Sequence, residues 1–181
     1  MKPLSIHLQG FASHIDTHID FTRYQSPIAL CAMMGAGKTA LIEGIFAALF
    51  GRGLWYGGSI YDFMTLGGTG KAKITLDFEH KGERYRIERN LSVTAKTQTQ
   101  TAFLVGAVSD LPVKEHGEQL AGPKIDDFNR AIRALIGDPE TASATWFLSQ
   151  NRKDDLAGMP GDPNIRPVSY THLTLPTILL V

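Results

Sequence analysis

One stretch constrains this chain more than any other: Ala32-Met33-Met34-Gly35-Ala36-Gly37-Lys38-Thr39. It follows the phosphate-loop pattern G-x-x-x-x-G-K-[ST] at every defined position except the first glycine, which is Ala32. The context on both sides agrees with the motif. Ile28-Ala29-Leu30-Cys31-Ala32 is a nearly continuous apolar run, the pattern of a strand covered on both faces. Downstream, Leu41, Ile42, Ile45, Phe46, Leu49 and Phe50 recur on one face of a helix, and Gly51 stands where a C-terminal glycine belongs. A strand, a glycine loop and a helix in this order predict an α/β fold with the helix N-terminus aimed at an anion. Gly35 and Gly37 allow backbone N–H groups to turn around phosphate oxygens. Lys38 supplies a reaching cation, and Thr39 supplies a hydroxyl for Mg²⁺. Met33 and Met34 are apolar where many such loops carry small or polar residues.

Around this unit the periodicities predict further elements. Leu4, Ile6 and Leu8 alternate with polar residues as a half-buried strand ending at Gly10-Phe11, and residues 18–21 predict a second short strand. Residues 51–70 are glycine-rich and irregular. Ala72, Ile74, Leu76 and Phe78 alternate with polar residues, His80-Lys81-Gly82-Glu83 is a turn, and Tyr85 and Ile87 resume the alternation, which makes a hairpin. Residues 94–101 read as a polar loop tip, and residues 102–108 as a returning strand. Ile125, Phe128, Ile132, Leu135 and Ile136 fall on one helical face closed by Gly137. Asp138-Pro139-Glu140 reads as the N-cap and first turn of a further helix.

Composition narrows the class without deciding it. The 181 residues carry 18 Lys+Arg and 18 Asp+Glu, so bulk charge gives no reason to expect nucleic acid or an acidic membrane. A single cysteine, Cys31, excludes a disulfide framework and fits a reducing compartment. The N-terminus alternates rather than forming a signal-peptide core, and no apolar run reaches the roughly 20 residues that span a bilayer. The expectation is a cytoplasmic protein with no membrane partner.

Other candidates are weaker. Leu66-Gly67-Gly68-Thr69-Gly70-Lys71-Ala72 imitates a phosphate loop, but Ala72 has no hydroxyl and a period-2 segment follows it, so no helix N-terminus meets the anion. Gln150, just past the apolar Phe147-Leu148, reads either as a bridge between an active-site metal and its water or as a solvated loop residue. Asp154 and Asp155 are adjacent, which places them on opposite sides of a strand and does not support paired acid–base work. His14 and His18 sit in turn and strand sequence and do not form a metal-ligand pair on a helix. Lys71, Lys73, Lys81, Arg84, Arg86, Arg89 and Lys96 cluster on the hairpin against Asp77, Glu79, Glu83 and Glu88. This cluster reads as a charge-blunted solvated edge or as a surface for DNA phosphates.

Taken together, these residues resemble the N-terminal lobe of the SbcC-type ATPases, the SMC-like, ABC-class ATPases of DNA double-strand-break repair. The resemblance runs from residue 1 to about 166. It rests on the opening strand with Gly10-Phe11 and Ile19-Asp20-Phe21, on Gly35-Ala36-Gly37-Lys38-Thr39, on Ala47-Ala48-Leu49-Phe50-Gly51, on Tyr85-Arg86-Ile87-Glu88-Arg89 and on Leu148-Ser149-Gln150. The long separation of Lys38 from Gln150 sets this branch apart from transporter ATPases. The resemblance implies a P-loop ATPase head, N-terminal half, with an antiparallel hairpin extension. It also implies ATP and Mg²⁺ as cofactors, with Gly35, Ala36, Gly37, Lys38 and Thr39 on the phosphates, Thr39 on the metal, and Gln150 as the Q-loop contact to metal and water. The implied partners are DNA, a nuclease subunit and a second head. After Gln150 there is no apolar run ending in Asp-Glu and there are no heptads, so the chain is expected to offer a phosphate loop without a general base for water. An alternative is a degenerate, non-hydrolysing head that serves as a scaffold. Residues 167–181 carry no Lys, Arg, Asp or Glu and resemble a translated sequencing-adapter read-through, so they are expected to be a non-native tail.

Overall fold

The computed structural model describes residues 1–25, 27–54, 58–106, 118–146 and 178–180. Strands β1 (Lys2–Phe11) and β2 (His14–Asp20) form a hairpin, followed by the short strand β3 (Ile28–Leu30) and helix α1 (Lys38–Phe50). Strands β4 (Lys71–His80), β5 (Glu83–Val93), β6 (Gln98–Gly106) and β7 (Glu118–Ala121) come next, then helices α2 (Ile125–Ile136) and α3 (Pro139–Trp146) and a last strand, β8 (Ile178–Leu180). Six strands make one antiparallel sheet in the order β2-β1-β4-β5-β6-β7. Separately, β3 pairs in parallel with β8, Ile28 opposite Ile178 and Leu30 opposite Leu180.

The alternation in the sequence becomes two unlike faces. Ile6, Leu8, Ile74, Leu76, Phe78, Ile87 and Leu104 are buried on the inner face, where α1 packs against β1, β4 and β5 and α2 against β6 and β7. Gly44 allows α1 to approach closely, since a Cβ there would lie 2.8 Å from Leu8 Cδ2. The outer face is polar. Arg86 donates to both Asp77 oxygens at 2.6 and 2.7 Å, Ser5 donates to Asp77 at 2.9 Å, and Lys73 pairs with Glu88 at 2.8 Å. The Asp77 hydrogen bond pushes the Arg86 guanidinium above its ordinary range.

Several expectations are redrawn. The second strand begins at His14 rather than at residue 18, because the turn needs only Ala12 and Ser13 between the paired Phe11 and His14. Strand pairing with β5 extends down to Gln98, so the tip narrows to residues 94–97, closed by the Thr97 N–H donating to Thr94 Oγ1 at 3.1 Å. The polar strand β7 has no alternation to announce it and forms at the sheet edge. The strand before the loop is not covered on both faces, since Ala29 is exposed and Ile28 and Leu30 are only half-buried.

The largest correction concerns Arg89, expected in a surface cluster. It is fully buried. Its position shares the parity of Tyr85, Ile87 and Leu91, so the side chain enters the core with them. There Nε and Nη2 donate to the Ala48 carbonyl at 3.1 Å, Nη2 also donates to the Leu49 carbonyl at 3.3 Å, and the guanidinium lies 4.7 Å from the centre of the Phe128 ring. Ala48 and Leu49 belong to the last turn of α1, where carbonyls lack helical partners and the dipole favours a cation. Burial pushes the guanidinium down to about 9, which still leaves it charged at neutral pH. Arg89→Ala would open a cavity and strand those carbonyls. It is expected to cost about 3 kcal/mol or more in urea denaturation, against about 1–2 kcal/mol for Arg89→Met, which refills the volume without the donors.

Candidate functional site

The Gly-rich segment joins β3 to the start of α1. Gly35 and Gly37 adopt φ of 83° and 86°, and the Ala36 N–H donates to the Met33 carbonyl at 3.2 Å. Among the described residues the only non-glycine positions with positive φ are Ala12 and Lys81. Ala32 therefore stands at the first-glycine position without strain. Met33 and Met34 are 86% and 100% exposed, so neither fills the loop.

Gly37 is the N-cap of α1, and no side chain caps the helix there. The N–H groups of its first turn lack helical acceptors and meet the positive end of the dipole. Lys38 folds back over the loop, its Nζ donating to the Ala32 carbonyl at 2.6 Å and to the Met33 carbonyl at 3.4 Å. Thr39 is exposed beside it. The sequence-predicted residues 35–39 are thus gathered in one loop and helix start. The backbone N–H groups of an uncapped helix start, one ammonium and one hydroxyl are a donor set that fits a phosphate chain with a divalent cation. Gln150, the other predicted site residue, lies outside the described residues, as do Asp154 and Asp155.

Sequence reasoning misses two residues beside the loop. His14 is 8% exposed and its Nε2 lies 3.1 Å from the Gly37 carbonyl, while its Nδ1 lies 3.1 Å from Thr17 Oγ1. Ser13 flanks the same point: a Cβ on Gly37 would lie 2.5 Å from Ser13 Oγ and 2.8 Å from His14 Nε2. No spacing rule links residues 23 positions apart, so only the fold reveals this contact. Among the described residues no group of three or more His, Cys, Asp or Glu is placed to hold a metal ion.

The second glycine loop takes a different place. Residues 66–70 lead straight into β4, and residues 66–69 line a cleft of about 720 Å³ on the polar side of the sheet. Its floor is the cross-strand row Gln9, Lys73, Asn90 and Thr101. Among the described residues none that lines it belongs to a helix. On the hairpin, with Arg89 buried and Arg86 and Lys73 ion-paired, Lys71, Lys81 and Lys96 remain as exposed lysines.

The antiparallel sheet, the inner helices and the glycine loop at the start of α1 define an α/β P-loop lobe of the SMC-like ATPase-head type. The chain belongs to the AAA domain family, whose sequence profile matches residues 5–156. A probable DNA double-strand break repair Rad50 ATPase of Aquifex aeolicus is 36% identical over 91 residues, 49% of this chain and 9% of that protein. The DNA double-strand break repair Rad50 ATPase of Methanosarcina acetivorans is 28% identical over 156 residues, 86% of this chain and 14% of that one. The SbcC component of the SbcCD nuclease of Deinococcus radiodurans is 33% identical over 90 residues, 49% of this chain and 10% of that protein. This chain therefore spans between 9% and 14% of the length of these relatives. A solved structure described under "ATP-driven dimerization and DNA stimulated activation of SMC ATPases" shares the fold at TM-score 0.59 and 17% identity, covering 91% of this chain and 94% of that one. Among the described residues no helix is long and apolar enough to cross a membrane.

Gly37→Ala combines a left-handed φ with a Cβ clash on Ser13 and His14, whereas a Cβ on Gly35 meets nothing within 4 Å. In urea denaturation Gly37→Ala is expected to cost about 2–3 kcal/mol and Gly35→Ala about 1 kcal/mol.

Proposed function

We propose that this chain is the ATP-binding N-terminal half of a DNA-repair ATPase head. The observation that carries the reading is the uncapped N-terminus of α1, set inside a positive-φ glycine loop with Lys38 folded across it. In this reading the backbone N–H groups of Gly35, Ala36 and Gly37 hold the phosphates of ATP, the Ala36 N–H exchanging the Met33 carbonyl for a phosphate oxygen. Lys38 is the mobile cation, and the carbonyls of Ala32 and Met33 are the partners a phosphate must outcompete. Thr39 offers its hydroxyl to Mg²⁺, and Gln150 serves as the contact to metal and water.

The bound cation and triphosphate would supply charge neutralisation and the energy of hydrolysis. The protein's part is to position them. For the whole protein we propose ATP-dependent pairing of two heads, engagement of DNA and control of a partner nuclease, as the names of the relatives suggest. We also propose that residues 167–181 are a non-native tail. In that case the pairing of β8 with β3 reflects an open strand edge that accepts any short apolar segment. Continuing the genomic reading frame past the codon for Arg166 checks this, and a frame that encodes these same residues would refute it.

A second reading, a non-hydrolysing scaffold, rests on two departures from the motif, Ala32 at the first-glycine position and the fully exposed Met34. Thermal melting separates the two. At ATP·Mg²⁺ about 100-fold above its dissociation constant, the expected stabilisation is about 2.7 kcal/mol, a rise in melting temperature of roughly 5–10 °C. Lys38→Ala is expected to abolish the rise. No rise in the unsubstituted chain at millimolar nucleotide would favour the scaffold.

A further inference from the structure

We propose that His14 is a positioning residue for the phosphate-binding loop, acting through the carbonyl of Gly37. The reading of this loop as a nucleotide site is the one given above, and His14 adds the device that sets its shape.

The chemistry of the contact fixes its direction. A carbonyl can only accept, so the ring nitrogen 3.1 Å from the Gly37 oxygen, Nε2, carries a proton. In the neutral ring Nδ1 is then an acceptor, and the Thr17 hydroxyl 3.1 Å away donates to it. The result is a directed chain from Thr17 to His14 to Gly37. The same Gly37 carbonyl accepts the first helical bond of α1, from the Leu41 N–H at 2.9 Å. One oxygen therefore receives both the start of the helix and the imidazole, so holding it fixes where the loop hands over to the helix.

The support behind His14 is itself tied down. His14 follows Ala12-Ser13, and Ala12 sits at φ 50°, a conformation that costs an alanine energy. Both backbone groups of Ala12 are committed: its N–H donates to the Phe63 carbonyl at 2.5 Å, and its carbonyl accepts from Thr65 Oγ1 at 2.9 Å. The Thr65 N–H donates to the Gly10 carbonyl at 3.0 Å. A strained turn held from both sides is over-determined, the condition under which strain persists at a working site. The chain of constraint runs from residues 63–65 through the turn and His14 to the loop.

The experiment uses the full 181-residue chain with His14→Leu, His14→Gln and Thr17→Val. Amide hydrogen exchange is read at Ala36 and Leu41, whose N–H groups bond within the loop and the first helical turn, and ATP·Mg²⁺ is titrated in parallel. His14→Leu is expected to speed exchange at these two amides about three- to tenfold relative to the sheet, and to weaken ATP binding by a similar factor. His14→Gln keeps a donor at the Nε2 position and is expected to restore both. Thr17→Val, a milder change that leaves the ring in place, is expected to give a smaller effect of the same sign. Unchanged exchange at Ala36 and Leu41 in both His14→Leu and Thr17→Val overturns the proposal. So does a failure of glutamine to restore it, or an increase spread evenly over the sheet. If the exchange pattern holds while the unsubstituted chain binds no ATP, the positioning role stands and the nucleotide reading falls.

Discussion

The buried guanidinium of Arg89 is the contact that gives this lobe its arrangement. It stands on β5, takes up the terminal carbonyls of α1 and lies against Phe128 of α2. Three elements distant in sequence thereby meet around one charge. A cation without hydrogen bonds would be costly in such a place, but here the C-terminal end of a helix dipole and the Ala48 and Leu49 carbonyls receive Nε and Nη2, while the buried Nη1 has no partner. Arg89 ties the C-terminal turn of α1 to β5.

The other end of α1 is the candidate site. Gly37 begins α1 uncapped, with Gly35 and Gly37 in left-handed conformations, and Lys38 is parked on loop carbonyls. The sheet contributes a second grip through the β1–β2 turn, where His14 meets the Gly37 carbonyl. The helix is thus held at its C-terminus by a charge and at its N-terminus by an imidazole. Such fixation is what an anion site of backbone N–H groups needs, since donors already in position lose little freedom when a ligand arrives.

Much of this is legible in the sequence. The loop, α1, the β4–β5 hairpin and α2 follow from motif and period, because each is specified by residues close together in the chain. The burial of Arg89 is legible only against its chemistry: its charge suggests the surface, while its parity with Tyr85, Ile87 and Leu91 places it inside. The full length of β2 and the strand β7 are hidden. The first carries an exposed apolar residue, Ile15, on its outer side, and the second has no alternation. The contact between His14 and Gly37 cannot be read at all, because it exists only when the β1–β2 turn and the loop are brought together by the fold.

The proposed nucleotide site is the loop at the start of α1, and not the glycine loop ahead of β4. Mapping backbone amide NMR shifts while titrating ATP·Mg²⁺ into the chain tests it most directly. The largest changes are expected at Gly35, Gly37, Lys38 and Thr39, with Gly67, Gly68, Gly70 and Lys71 nearly still. Changes centred on residues 67–71, or none at either loop, would contradict it.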